Sequence, residues 1–522
     1  MEHVIGVDIG TQSTKALLCD ARGRIVAQHA IGYHPDTPRP SWAEQSASVW
    51  LDAVERAIRG CLDAAARADR GFLPVSVRAV CVSGLYGGSG VPIDAAMQPT
   101  HPCLIWMDRR ATAEVDWVRA HLDMDRLYDI TGNGVDSYYG YTKMMWLRDH
   151  RSEAFARTRW FVPPNAFVVH ALTGELAVDR SSAGNIGGVY DYRNACWSEP
   201  MLAALGIPVS MMPSRLVAST EVVGTVTAAA AARTGLAVGT KVVAGGVDAA
   251  VATLAAGVTS PGHHVAMIGT SMCWGFVSPT VDARHGLVSM PYVFGDDLYV
   301  FGGAITAGSA VTWFVNEFCR DLGAMGDPAA ATRALVTLEA EARDVPEGAD
   351  GIVFLPYLMG ERSPIWDARA SGAFVGLNLF HRREHAYRAV LEGVSFALRD
   401  NIEAGMRGAA RLDERLVVVG GAARSDLWMQ IIADVSGRPV HTIEEDVEAA
   451  MGSALLAAYA VGLCDGDGVR RGWVTLTERA LPRPAASARY DEVFAVYKAL
   501  YPSLRDSMHA LANGAAAHRT PA

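Results

Sequence analysis

Apolar positions at the start of the chain fall into short runs broken by glycine and charge. "VIGVDIG" reads as a buried strand ending in glycine, "TKALLCD" as a second strand, "ARGR" as a turn and "RIVAQHAI" as a third strand. From about Ser46 to Ala66 the apolar residues recur at helical spacing, and "VRAVCVSG" returns to a strand. Helix and strand patterns alternate up to "GTKVVAGGVDAAVATLAAGV" (Gly239–Val258), where a buried strand meets two glycines, one carboxylate and an alanine-rich helix. Then the pattern restarts. "HHVAMIGTSMCWGFV" is strand, Gly-Thr turn and strand, "LYVFGGAIT" a strand, and "AGSAVTWFVNEF" a helix. A long amphipathic helix from about Glu384 to Met406 follows, then the strand "RLVVVGG", a helix from Asp426 to about Val435 and the strand "PVHTI". A meander followed by alternating helix and strand predicts an α/β layer domain. The restart predicts that this unit is duplicated, with the two copies facing each other across a cleft.

A chain of 522 residues is too long for one core. The expected division is 1–250, 251–505 and a frayed, flexible tail over 506–522, with a tight hinge near Ala249–Ser260. Half the residues are apolar and a fifth charged, the profile of a soluble globular protein. The net charge of −10 argues against nucleic acid or an anionic membrane surface as partner, but leaves room for a small anion in a local pocket. The eight cysteines include no C-x-x-C pair and lie mostly in apolar runs, the usage of reduced, buried thiols. The N-terminus enters a strand without a signal-peptide pattern, and the longest uncharged run, Ala449–Cys464, is shorter than the ~20 residues of a membrane span. A cytoplasmic protein without a membrane segment is expected.

Several segments carry chemistry. Asp248 stands where an apolar or small residue fits the pattern; an isolated buried carboxylate is costly, so it must be paired, neutralised or exposed in a cleft. In "GVDIGTQSTK" (Gly6–Lys15) a glycine after a strand lets backbone N–H groups approach an anion, Thr11, Ser13 and Thr14 add hydroxyls, and Asp8 is placed for a hydrated Mg²⁺; a plain turn with a solvated aspartate fits the same residues. "MIGTSM" (Met267–Met272) repeats that chemistry in the second unit, so the two turns could clasp a polyphosphate. In "VVVGGAARSDLW" the glycines allow a flat heterocycle against the backbone, and Ser425 equally makes a helix N-cap. "LIWMDRRA" offers Trp106, Asp108 and Arg109, a set suited to a polyol or to a capped helix start. "HRREH" (His381–His385) fits a zinc-binding H-x-x-E-H pattern but sits among arginines with no evident third ligand. Neither a Walker A loop nor a strand leading into G-x-G-x-x-G is present.

Taken in order, "GVDIGTQSTK", "WMDRR", "KMMWLRDH", "GGVDAA", "IGTS", "AGSAVTW", "GAFVGLNLFHRREHAYRAVLEG" and "GGAARSDLWMQ" resemble the FGGY carbohydrate kinases of the actin-like ATPase superfamily, over about residues 3–505. The resemblance implies two duplicated actin-like, ribonuclease H-like domains with a nucleotide cleft between them, and ATP-dependent phosphorylation of a sugar or polyol hydroxyl. It implies that Asp248 is the general base, ionised at neutral pH if its pKa stays near the usual ~4, and that Asp8 organises Mg²⁺. Thr11, Gln12, Ser13 and Lys15 then match the first phosphate loop, and Gly269 with Thr270 the second. Gly308 with Thr312 or Trp313 matches the helix flanking the nucleotide, and Gly421, Ala422 and Ser425 the adenosine wall, where Ser425 replaces a frequent asparagine.

On the acceptor side, Leu85, Tyr86 and Gly87 stand where xylulokinases carry a Gln-Met-His run. Ala249 follows the base where Gln or Asn is common, and Tyr138 falls where glycerol kinases place a substrate-contacting tyrosine. With Asp108, Arg109 and Asp248, these residues form the expected acceptor set. The resemblance points to a ketopentose such as xylulose or ribulose. Glycerol, erythritol or a gluconate-like acceptor is the alternative, and an idle sugar or nucleotide sensor the reading from another class. Lobes that close on substrate and a homodimer are family-level expectations.

Overall fold

The structure is a computed structural model that describes residues 2–85, 87–280, 286–322, 327–408, 411–443 and 449–517. Strands β1 (His3–Ile9), β2 (Ser13–Asp20) and β3 (Ile25–Gly32) form the predicted meander. Helix α1 (Ala47–Ala68) turns Trp50, Val54, Ile58 and Leu62 inward, the i, i+4 repeat that lays one apolar stripe on a sheet. Strand β4 (Val77–Gly84) pairs parallel to β1. Helices α2 (Gly140–His150) and α3 (Arg180–Asn185) follow, then β5 (Val222–Thr225), β6 (Lys241–Val243) and helix α4 (Asp248–Ala255). The six strands lie in the order β5-β6-β4-β1-β2-β3.

The second unit repeats this plan. It contains β7 (His264–Ile268), β8 (Met272–Ser278), β9 (Val288–Pro291), β10 (Leu298–Gly302) and helix α5 (Gly308–Phe318). Helix α6 (Arg383–Gly408), β11 (Leu416–Val419), helix α7 (Asp426–Ser436), β12 (Val440–Ile443), helix α8 (Ala449–Ala460), β13 (Leu476–Ala480) and helix α9 (Pro484–Ala517) complete it. The strand order is β9-β10-β8-β7-β11-β12-β13. As β1 pairs antiparallel with β2 and parallel with β4, so β7 pairs antiparallel with β8 and parallel with β11. The duplication read from two Gly-Thr turns is therefore a duplication of sheet topology.

Two elements differ from the sequence expectation. "LYVFGGAIT" leaves the sheet at Gly302, because the next backbone donors are captured by side chains: Gly303 N–H donates to Ser363 Oγ (2.7 Å) and Ile305 N–H to Glu361 Oε1 (3.0 Å). The segment from 506, expected to fray, continues α9 as helix to Ala517; Met508 is buried and His509 Nε2 meets Asp367 Oδ2 at 2.6 Å. A tertiary partner holds what composition alone suggested was loose.

The two units pack on each other through helices α8 and α4. Helix α8 lies against the first sheet so closely that a Cβ on Gly6 would sit 1.9 Å from Ala450 O, and against α4 so closely that a Cβ on Gly452 would sit 2.1 Å from Val251 O. Reciprocally, Thr253 on α4 donates its hydroxyl to Tyr299 on β10 (2.9 Å, both buried). Helix α8 covers most of the long uncharged run; its residues through Ala458 are buried in the first core, and no described helix is long and apolar enough to cross a membrane. Replacing Gly6 or Gly452 by Ala inserts a methyl into a backbone contact, and each should cost about 1–3 kcal/mol. Urea unfolding measures it; variants as stable as the wild type would contradict this helix packing.

Candidate active site

Asp248 reaches the cleft because the sheet is extended past β6. Gly245 has φ +70° and lies so close to β4 that a Cβ would come 1.9 Å from Val82 O, so only glycine fits. Gly84 N–H donates to Gly246 O (3.1 Å), and Val247 bridges Gly84 in parallel. Val247 N–H donates to Ser181 Oγ (3.1 Å), whose own hydroxyl donates to the buried Asp179 (2.5 Å). The chain then turns into α4 with Asp248 as its first residue, half-buried, its Oδ1 accepting from Ala249 N–H at 2.7 Å. Asp8, at the end of β1, accepts from Ser83 Oγ (2.8 Å) and faces Lys15 across the β1–β2 pair.

Burial and then the Asp8 carboxylate push the Asp248 carboxyl up to about 8. Both effects oppose ionisation of Asp248, where the sequence expectation took an ordinary carboxylate pKa. Two mutually repelling carboxylates are a donor set that fits a divalent cation, which binds through one or two carboxylates with the remaining ligands from water and phosphate.

One glycine turn joins β1 to β2 and the other joins β7 to β8. Gly10 N–H donates to Ser13 O (2.9 Å), with Thr11 half-buried and Gln12 and Ser13 exposed. In the second lobe Gly269 and Thr270 are exposed, with nothing near a Cβ placed on Gly269. Helix α5 starts on this turn: Gly308 N–H donates to Gly269 O (2.9 Å) and Ser309 N–H to Thr270 O (3.1 Å). Thr312 turns its hydroxyl back onto Gly308 O (3.1 Å), and Trp313 stacks on Phe354. Gly421 is exposed, but Ala422 is buried, and Ser425 caps α7 by accepting from Trp428 N–H at 3.0 Å. The Ser425 hydroxyl is thus engaged in the cap, one of the two roles open to it from the sequence.

On the acceptor side, Gly87 (φ +83°) is closed in by the Tyr138 ring and by Trp106, either of which a Cβ would strike within 3 Å. Trp106 Nε1–H donates to Thr11 Oγ1 (3.0 Å), and Tyr138 O–H to Asn185 Oδ1 (3.4 Å). Leu85 is a core residue, its N–H donating to Ile9 O at 2.8 Å, and Ala249 is half-buried beside Asp248. Tyr86 lies outside the described residues. Asp108 does not face a ligand: fully buried, it accepts from Ala43 N–H (2.7 Å) and from Arg110 Nε (2.8 Å), whose guanidinium lies over Trp42. The polyol reading of Asp108 is corrected accordingly, since its carboxylate oxygens are taken by the fold. Arg109 pairs with Asp136. The two histidines of "HRREH" take backbone partners, His381 at Asp350 O (3.1 Å) and His385 at Arg382 N–H (3.2 Å).

Other residues entered the cleft without a motif to announce them. Arg362, from the second lobe, places its guanidinium 5.8 Å from the Trp106 ring and donates to Met272 O (3.3 Å). Trp366, at φ +52°, faces Tyr138 and Tyr139 with ring centres 6.3 and 6.4 Å away. A cavity of about 350 Å³ between the lobes is lined by Tyr128, Asp136, Tyr139, Leu287 and Trp366. The charged pair in "GERSP" (Gly360–Pro364), set in a glycine- and proline-bounded loop, was the one sequence signal for these residues.

Residues 3–255 match the FGGY family of carbohydrate kinases, N-terminal domain, and residues 264–461 its C-terminal domain. The chain belongs to the FGGY family of carbohydrate kinases. A xylulose kinase of Lactococcus lactis subsp. lactis (strain IL1403) is 28% identical over 515 residues, covering 98% of this chain and 99% of its own. A gluconokinase of Bacillus licheniformis is 27% identical over 520 residues, 98% of each chain. The crystal structure of xylulose kinase from Rhodospirillum rubrum has a TM-score of 0.87 to this one at 31% identity, over 97% of this chain and 100% of that one.

In this carbohydrate kinase the loop carrying Arg362 and Trp366 is braced from beyond the family-matched region, because Asp367 Oδ2 accepts from Tyr501 O–H (2.7 Å) as well as meeting His509. Removing residues 506–517 should leave both matched domains folded yet lower kcat/KM about tenfold or more, since small misplacements of positioning groups are costly; unchanged kinetics would show the brace to be idle. A second expectation concerns stability. Asp248 has a raised folded pKa, so above the unfolded value of ~3.9 it disfavours folding, increasingly as pH rises toward about 8. In metal-free buffer Asp248→Asn should therefore melt higher than the wild type at pH 8 and equally near pH 4. A variant that melts lower at pH 8 would overturn the buried-repulsion account.

Proposed function

We propose that this kinase transfers the γ-phosphoryl group of ATP to a hydroxyl of a ketopentose such as xylulose or ribulose. The observation that carries this reading is the carboxyl of Asp248 at the start of α4, near enough to Asp8 for the two carboxylates to repel each other. The relatives' names extend it to the acceptor: two of the three proteins compared are xylulose kinases.

Asp8 is the residue to hold Mg²⁺, with Asp248 next to it. Bound with ATP, the ion would supply positive charge to the phosphate oxygens and to the two carboxylates. Asp248 then accepts the proton of the acceptor hydroxyl as that oxygen bonds to phosphorus and the bond to the β-phosphate oxygen breaks. Thr11, Gln12, Ser13 and Lys15 on one lobe, and Gly269 and Thr270 on the other, offer donors to the phosphates. Gly308, Thr312, Trp313, Gly421 and Ala422 line the nucleotide's side, whereas Ser425 contributes through its cap. Trp106, Gly87 and Tyr138 form the wall against which the sugar lies, with Ala249 beside the base. Arg362 brings a cation from the second lobe to that wall. That cation favours, as a second reading, a carboxylated acceptor such as gluconate, in keeping with the gluconokinase relative.

ADP release with Mg-ATP across ketopentoses, polyols and aldonates, for the wild type and Asp248→Ala, tests both readings. Turnover is expected on a ketopentose, with a loss of about 10²–10⁴-fold in the variant. Preference for an aldonate would move the assignment to the second reading. Turnover surviving in the variant would remove Asp248 as base, and ATP binding without turnover on any acceptor would replace the enzyme with a sensor.

A further inference from the structure

Lys143 sits in the middle of α2 and is fully buried. Its ammonium donates to Gly87 O, to Ile105 O (2.8 Å) and to Tyr138 O (2.9 Å). Three N–H groups thus meet three backbone carbonyls, which saturates a lysine. The carbonyls belong to separate stretches: the turn after β4, the residue before Trp106, and the loop that leads into α2. At the start of the same helix Gly140 is pressed onto Gly88, where a Cβ would lie 2.2 Å from Gly88 O. Helix α2 and its lysine therefore gather the three segments that present Gly87, Trp106 and Tyr138.

Packing alone does not call for a cation here. The neighbouring Met144, Met145 and Leu147 are buried on the same helix and fill space without desolvating a charge. Burial draws the Lys143 pKa down to about 7, while Asp108 and Asp136 raise it and Arg109 lowers it. A methionine at 143 would occupy similar space at less cost. What it lacks is the set of donors that ties three loops to one point.

We infer that Lys143 is a positioning residue of the acceptor pocket, acting through the Gly87, Ile105 and Tyr138 carbonyls to hold the sugar-facing wall in register with Asp248. The inference rests on reading that wall as the acceptor site.

The test uses the full chain with Lys143→Met and Lys143→Gln, the second keeping part of the donor set. Acceptor KM should rise at least about tenfold in Lys143→Met and less in Lys143→Gln, while KM for ATP stays within about twofold. Equal loss for both substrates, or no change in either, overturns the inference. Hydrogen–deuterium exchange gives a readout that needs no substrate. In Lys143→Gln faster exchange is expected over residues 87–90, 103–108 and 136–140 and not over β7, β8 or α5. Unchanged exchange in the three segments overturns the inference even if no acceptor is ever found, and a wild type without turnover but with this exchange pattern would fault the functional reading alone.

Discussion

Backbone touches backbone where helix α8 crosses the first sheet, and the cleft depends on that contact. Gly6 and Gly452 leave no side chain in the way, so α8 settles onto β1 and against α4 at once. Because α4 begins with Asp248, the packing that joins the two lobes also sets where the carboxyl stands. A second tie runs further out: the Asn133 amide donates to Ser289 O (2.8 Å) and accepts from Ser289 N–H (2.9 Å), fastening the edge strand β9 to the first lobe. Relative movement of the lobes has to work around these fixed contacts, since close-packed backbone surfaces slide or hinge but do not compress.

Around the cleft, stability and chemistry pull in opposite directions. Asp248 and Asp8 repel each other in a partly desolvated site, and Glu361, beside Arg362 in the second lobe, is pushed by burial up to about 7. Such groups cost folding free energy in the ligand-free protein. A buried charge elsewhere in the first lobe is paired instead. Asp108 and Arg110 form a buried pair stacked on Trp42, and removing one partner of such a pair leaves an uncompensated charge worth about 3–5 kcal/mol.

The readable parts of the sequence were those governed by local periodicity. Strand "VRAVCVSG" and helix Asp426–Ser436 appear within a residue of where alternation and capping place them, and both Gly-Thr turns sit at the ends of topologically equivalent strands. The misreadings share one cause. Asp108 and the segment after Arg505 were judged from their neighbours in the chain, whereas Arg110 and Ala43, and Asp367, respectively decide what they do. Nothing in the stretch around Lys143 names Gly87 or Ile105 as its partners.

By itself the sequence determined the two repeated α/β units, the positions of the glycine turns and of the carboxylate that opens α4, and membership in a kinase family. Each of these is encoded in spacing along the chain, through side-chain period, φ restriction and motif order. Only the tertiary structure decided which charges face the cleft and which are spent on the fold. That choice is made at about 3 Å, between groups 38 residues apart for Lys143 and Ile105 and 65 for Asp108 and Ala43. The strength of a charge in a protein is set by the partner and the solvent it loses there.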